Sequence, residues 1–286
     1  MVATAPTPAP SARPERPAMQ RARIAARTLR QDRWWLQPLI TVVVLVLFII
    51  YSTFRAFYGK HFFSEPYISP FYSPCLSDRC GLGDAVGNHG VPPYLSWLPS
   101  TKYVFTPAIW ILIFPLGFRL TCYYYRKAYY RSFWMSPPAC AVQEPHKTYT
   151  GETRFPLIGQ NIHRYFFYAG VVFNVILTYD AVLAFRNADG HDHMHWGHMG
   201  LGTLVLIVNA ALLWLYSASC HSCRHVMGGK LRHFSKHPVR YKAWGIVSKL
   251  NHHHMKFAWA SLLFVAFTDA YVWMVSAGAF TDPRFF

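Results

Sequence analysis

Five apolar runs, each long enough to cross a bilayer, constrain this chain more than any other feature of its sequence. They cover 36–54, 103–123, 163–185, 196–217 and 255–277. A hydrocarbon core about 30 Å thick takes roughly 20 mostly apolar residues as helix, and inside it each backbone polar group must be satisfied by the protein itself. The expected fold class is therefore an all-α integral membrane protein with five transmembrane helices. Pro107 and Pro115 lie inside the second run and place a bend there. Composition agrees: 53% of residues are hydrophobic, 17% aromatic and only 14% charged, where soluble proteins carry about a quarter charged.

The distribution of Lys and Arg sets the orientation. The segment up to Arg33 holds seven, the stretch 124–161 five and the stretch 221–256 eight, together 20 of the chain's 28. These segments are expected on the cytoplasmic side, and an odd number of spans then puts the C-terminus outside. The net charge of +16 is spread between the apolar runs and forms no basic domain, which speaks against nucleic acid and for an anionic membrane surface or an acidic partner subunit.

Residues 1–33 read as a cytoplasmic tail, disordered at first and then, from Arg21 to Trp35, a basic amphipathic helix lying on the membrane surface. Residues 34–286 form the membrane domain, and its Pro- and Gly-rich outer loop, 56–102, is expected to cap the outer ends. The sequence offers no internal repeat. It also lacks a soluble domain, a phosphate-binding Gly-rich loop and a nucleophile elbow, so independent catalysis by this chain is not expected.

Topology divides the six cysteines. Cys75 and Cys80 fall in the oxidising outer loop, where a disulfide between them is expected. Cys122, Cys140, Cys220 and Cys223 fall at the reducing face. The run Cys220-His221-Ser222-Cys223-Arg224-His225 packs two thiols and two imidazoles into six residues at the end of the fourth span. Two chemistries suit such a set: a structural tetrahedral zinc, or a [2Fe-2S] cluster with Cys on one iron and His on the other. The bland alternative is a pair of small semi-buried residues beside lipid phosphates. The paired Cys-x-His loops of soluble Rieske domains are absent.

Histidines gather at the same face: His163 with Arg164 at the start of the third span, and His252, His253 and His254 at the start of the fifth. Antiparallel helices should bring them beside the Cys220–His225 end. The outer histidines, His191, His193, His195 and His198, with His89 in the loop before them, read as a solvated turn or an outer proton path.

The five-span plan, the Cys-His-Ser-Cys-Arg-His run and the Arg-His and Asn-His-His-His helix starts resemble the large membrane-anchor subunit of actinobacterial succinate dehydrogenase. The resemblance implies an anchor in the bacterial cell membrane. It would hold flavoprotein and iron–sulfur subunits on the cytoplasmic face, beside lipid and a small membrane subunit, in an oligomeric complex that passes electrons to menaquinone. It also implies a membrane-embedded Rieske-type cluster. The preferred thiolates are Cys220 and Cys223, the imidazoles His221, His225, His163 or His253, with Cys140 and Cys122 in reserve. The quinone slot would draw on His163, Arg164, His254 and Trp35. A haem b held by His163 and one of residues 252–254 is the first alternative. The second is a metal-ion transporter, against which no chain of ligating residues crosses the mid-membrane; Asp180 and Asp269 lie toward the outer halves of their spans.

Overall fold

The computed structural model describes residues 30, 32–75, 106–142, 144–146, 155–189 and 193–285. Four helices are long and apolar enough to cross a membrane: α1 (Leu36–Tyr58), α4 (Phe155–Leu183), α5 (Leu201–Ala218) and α8 (His254–Ser276). Each overlaps an expected run to within a few residues at the ends of its apolar stretch.

The second expected span is different. Helix α2 covers only Pro107–Leu120, 14 residues, and at 1.5 Å per residue it is shorter than the hydrocarbon core. After two residues the chain continues as α3 (Tyr123–Tyr129) and a π-helical turn (Tyr130–Trp134), turned by 81° from α2. Counted as one broken span, this bent pair brings the candidate spans to five. The bend is not at the prolines, as expected, but at Thr121 and Cys122. Pro107 sits at the first helical position, where its missing N–H has no intrahelical partner to lose, and Pro115 lies inside α2 without ending it.

Helices α6 (His221–Gly228) and α7 (Pro238–Asn251) occupy the stretch read from sequence as a basic loop. Arg240 of α7 donates to the carbonyls of Val226, Met227 and Gly229, satisfying the open C-terminal end of α6. The amphipathic helix expected up to Trp35 does not form in its described part: Asp32–Trp35 make a turn into α1. Residues 1–29 lie outside the described ones.

Helix α5 packs between α4 and α8, and α2 packs on α4. Helix α1 runs along the edge with Leu39, Ile40, Val43, Leu47 and Ile50 exposed, a surface suited to lipid. At one end of the bundle, the hairpin end, the chain after α1 folds back as β1 (Phe63–Ser64) and β2 (Tyr67–Ile68), and Tyr67 is driven between α5 and α8 to 1% exposure. A Cβ at Gly202 would lie 2.6 Å from the Tyr67 ring, so only glycine admits this approach. Within its described part, up to Cys75, the loop folds back against the ends of α5 and α8; the rest of 56–102 lies outside the described residues.

The buried charges of α1 and α8 at this end are paired. Arg55 and Asp269, both side chains fully buried, form an ion pair at 2.7 Å, and Asp269 also accepts from Tyr51 (2.6 Å) and Ser69. Asp180 accepts from Ser73. Both intramembrane carboxylates therefore have structural partners. Strands β3 (Arg186–Asp189) and β4 (His193–Trp196) make a second hairpin where a solvated turn was expected. His198 is buried, not solvated, with Nε2 3.2 Å from the Tyr67 hydroxyl. His89 and His191 lie outside the described residues. Cys75 is disulfide-bonded; Cys80, its expected partner, lies outside the described residues.

Candidate functional site

At the opposite end of the bundle a five-residue pattern occurs twice: Phe118-Arg119-Leu120-Thr121-Cys122, and Tyr216-Ser217-Ala218-Ser219-Cys220. In each, an apolar helix stops, a hydroxyl residue turns the chain, and a cysteine stands just before the next helix. The backbone repeats closely. Thr121 has φ −85, ψ −8 and Ser219 φ −81, ψ −6; Cys122 has φ −65, ψ 133 and Cys220 φ −65, ψ 147. The helix breaks carry both thiols inward to 2% and 1% exposure.

Two histidines from the neighbouring spans complete the pattern. His163 of α4 stacks on Phe118 (centroids 5.2 Å, 15°) and His254 of α8 stacks on Tyr216 (5.2 Å, 9°). The Nδ1 of His163 meets Thr121 Oγ1 at 2.7 Å, and the Nδ1 of His254 meets Ser219 Oγ at 2.7 Å. The other nitrogens cross over. His163 Nε2 lies 3.1 Å from Cys220 Sγ, and His254 Nε2 lies 3.4 Å from Cys122 Sγ. This pattern of contacts has two-fold symmetry. It is an internal repeat that the sequence reading did not find, although the aromatic-x-x-hydroxyl-Cys spacing at two span ends was its available signal.

The hydroxyls fix the tautomers. Each has a single hydrogen: that of Thr121 goes to the Gly117 carbonyl at 2.7 Å and that of Ser219 to the Tyr216 carbonyl at 3.0 Å. With the hydroxyl hydrogens on those carbonyls, each hydroxyl accepts from the imidazole and the ring proton is on Nδ1. Both Nε2 lone pairs face a thiol. A metal-binding histidine has this arrangement, one nitrogen held by an outer partner and the other left bare.

Among the described residues no three His, Cys, Asp or Glu side chains converge as ligands of a single metal ion. What converges is two matched Cys/His pairs. A tetrahedral zinc is poorly served by that arrangement, whereas a two-iron cluster, with four terminal positions spread over two metals, matches it in number and donor type. Burial among Phe118, Phe167, Tyr216 and Leu262 keeps water away.

Of the sequence-predicted ligands, Cys220, His163 and the reserve Cys122 are in the site, and His221, His225, His253 and Cys140 are not. Cys223 is buried in the same apolar cluster as Cys122 and Cys220, but among the described residues no imidazole meets its sulfur. Cys220 has extended backbone at the N-cap of α6, and Cys223 lies in the first turn of that helix. His221 and His225 are exposed and lie ring against ring at 5.2 Å. His253 is exposed at the start of α8, and Cys140 is exposed with its carbonyl accepting from Arg30. Cys122, held in reserve from sequence, and His254, assigned there to quinone, belong to the site instead. Arg164 and Trp35 are exposed, so the expected quinone residues do not line one slot.

A cavity of about 460 Å³ lies nearby, between the start of α1, α3 and the start of α8. Its wall includes Arg33, Trp34, Tyr124, Lys127, Arg131 and Trp259. Tyr124 also touches the site, its ring 5.2 Å from that of His254. Cavity and site share this one aromatic wall.

The sequence profile of the family described as actinobacterial succinate dehydrogenase subunit SdhC matches residues 36–278. Among solved structures, a chain of the Mycobacterium smegmatis Sdh1 complex in the apo form is 50% identical, with a TM-score of 0.81, over 94% of this chain and 97% of that one. A search of curated proteins gave no match.

Proposed function

The chain belongs to the actinobacterial succinate dehydrogenase SdhC family, and from that premise we propose that it is an electron-transferring anchor whose Cys122, Cys220, His163 and His254 hold a Rieske-type [2Fe-2S] cluster. The observation that carries the reading is the pair of imidazole Nε2 atoms, each within hydrogen-bond reach of a buried thiol from another span. When bound, such a cluster supplies a one-electron relay whose imidazole ligands raise its potential to roughly −150 to +300 mV, above the −400 mV or so of plant-type ferredoxins. In that range electrons from succinate can enter it without a steep uphill step.

The chain's own residues supply position and insulation. Thr121 and Ser219 hold the two imidazoles in the ligating tautomer. Phe118 and Tyr216 clamp them face-on and exclude water. The cavity behind Tyr124 is the proposed menaquinone site. Its volume lies within the range of small-molecule pockets, Trp34, Tyr124 and Trp259 offer ring faces, and Lys127 and Arg131 offer N–H donors for a quinone carbonyl. The flavoprotein and iron–sulfur subunits of the enzyme, which carry succinate oxidation, dock on this same end. The excess of Lys and Arg there makes it the cytoplasmic face and puts the C-terminus outside.

Low-temperature EPR of the purified, reduced complex, with an optical spectrum of the same sample, tests the cluster. A Rieske-type signal is the expected result. A haem Soret band without that signal would replace it by the haem b reading, and neither feature would leave an anchor without a redox group. The quinone site has its own test. Ala128 lines the cavity, and Ala128→Trp is expected to cut quinone reduction at least tenfold while succinate oxidation with an artificial acceptor is kept.

A further inference from the structure

The two-fold frame around the site is broken by one charge. Arg119, in the last turn of α2, corresponds in the repeated pattern to Ser217, a neutral hydroxyl that accepts from Asn174 at 2.8 Å. The frame does not need a cation at this position. Arg119, half-buried, nonetheless lies in the last turn of an apolar span, where an uncompensated charge is disfavoured.

Its contacts are all with neutral groups. It donates to the Tyr125 hydroxyl (2.6 Å), the Ala258 carbonyl (3.3 Å) and the Ser261 hydroxyl (3.2 Å). The guanidinium carbon lies 4.9 Å from the centre of the Tyr216 ring, the ring that stacks on His254 at 5.2 Å. Among the described residues Arg119 makes no ion pair. Arg55, the charged residue of α1 at the hairpin end, is given a carboxylate.

We propose that Arg119 is the fixed counter-charge for the electron that the site takes up, and that it thereby sets the potential of the site. The inference rests on the cluster reading above. Two thiolates and two neutral imidazoles cancel the charge of an oxidised [2Fe-2S] core, so an added electron is an uncompensated negative charge in a medium of low dielectric. Arg119 lies one helical turn before Cys122 and one ring away from His254, close enough to stabilise that charge. The electron comes from an iron–sulfur centre of a partner subunit and leaves to a quinone. Arg119 itself is neither oxidised nor reduced.

The experiment is an EPR-monitored redox titration of the purified complex with wild-type chain, Arg119→Gln, Arg119→Lys and Ser261→Asp. The glutamine variant is expected to lower the midpoint by about 59 mV or more, the tenfold shift for one electron, while lysine keeps most of the wild-type value. Ser261→Asp leaves Arg119 in place but gives it a carboxylate. It should lower the midpoint in the same direction, and it answers the question if the glutamine variant does not assemble. A full signal with an unmoved midpoint in Arg119→Gln, or in Ser261→Asp where only that variant assembles, overturns the role of Arg119 and leaves the cluster standing. A wild-type complex without the signal overturns the cluster reading and this one with it.

Discussion

Cys122→Ser and Cys220→Ser are each expected to abolish the low-temperature EPR signal of the reduced complex, whereas Cys223→Ser and Cys140→Ser keep it. Serine preserves the shape of the turn and removes the soft thiolate that an iron–sulfur cluster needs. The two outcomes separate the observed arrangement from the sequence motif. Cys220 and Cys223 are three residues apart and pack in one apolar cluster, but among the described residues only Cys220 of the two has an imidazole nitrogen at its sulfur. Cys122 and Cys220 lie on different spans, and each faces an imidazole. A signal that survives Cys122→Ser and disappears in Cys223→Ser would restore the Cys-x-x-Cys as the ligand pair. Iron content per complex should follow the signal in all four variants.

The second large effect is on stability and belongs to the hairpin end. Asp269→Ala leaves Arg55 fully buried without its carboxylate and also strands the Tyr51 and Ser69 hydroxyls that donate to it. Breaking a buried pair from one side costs about 3–5 kcal/mol, because the remaining charge is uncompensated. For a chain of this size that corresponds to a Tm loss of roughly 10 °C, measurable by heating the complex in detergent. The double variant Arg55→Met with Asp269→Leu removes both charges and should recover most of the loss. If Asp269→Ala melts with the wild type, the ion pair has no structural weight. The EPR signal should be unmoved in the double variant, since the pair sits at the far end from the thiols.

The spans were legible because their cause is local. A run of apolar residues in lipid has one way to satisfy its backbone, so α1, α4, α5 and α8 follow from the sequence alone. The second span was misread at its end because local signals pointed to Pro107 and Pro115. The actual break, at Thr121 and Cys122, is held by the imidazole of His163 from another helix, and no local signal records a distant partner. Helices α6 and α7 were missed for a related reason. Their composition is basic and polar, and Arg240 and the Trp244 ring, which Gly228 accommodates closely, tie them together only once they are packed.

The site was legible in kind but not in membership. Residue types and the face of the bundle followed from sequence: thiols, imidazoles and basic groups at one level. Among His252, His253 and His254, however, nothing local marks His254 as the one that turns inward; its burial is decided by Tyr216 and Ser219 on α5. The same holds for Cys122, whose partner histidine is on the last helix. Thus the sequence by itself determined a helical membrane protein with a thiol- and imidazole-rich end, because lipid and compartment act on each segment separately. Which thiol meets which imidazole was decided only by the tertiary structure. A ligand set drawn from four spans is a property of how the helices pack, and neighbours along the chain, such as the exposed His253 and the buried His254, need not both enter the site.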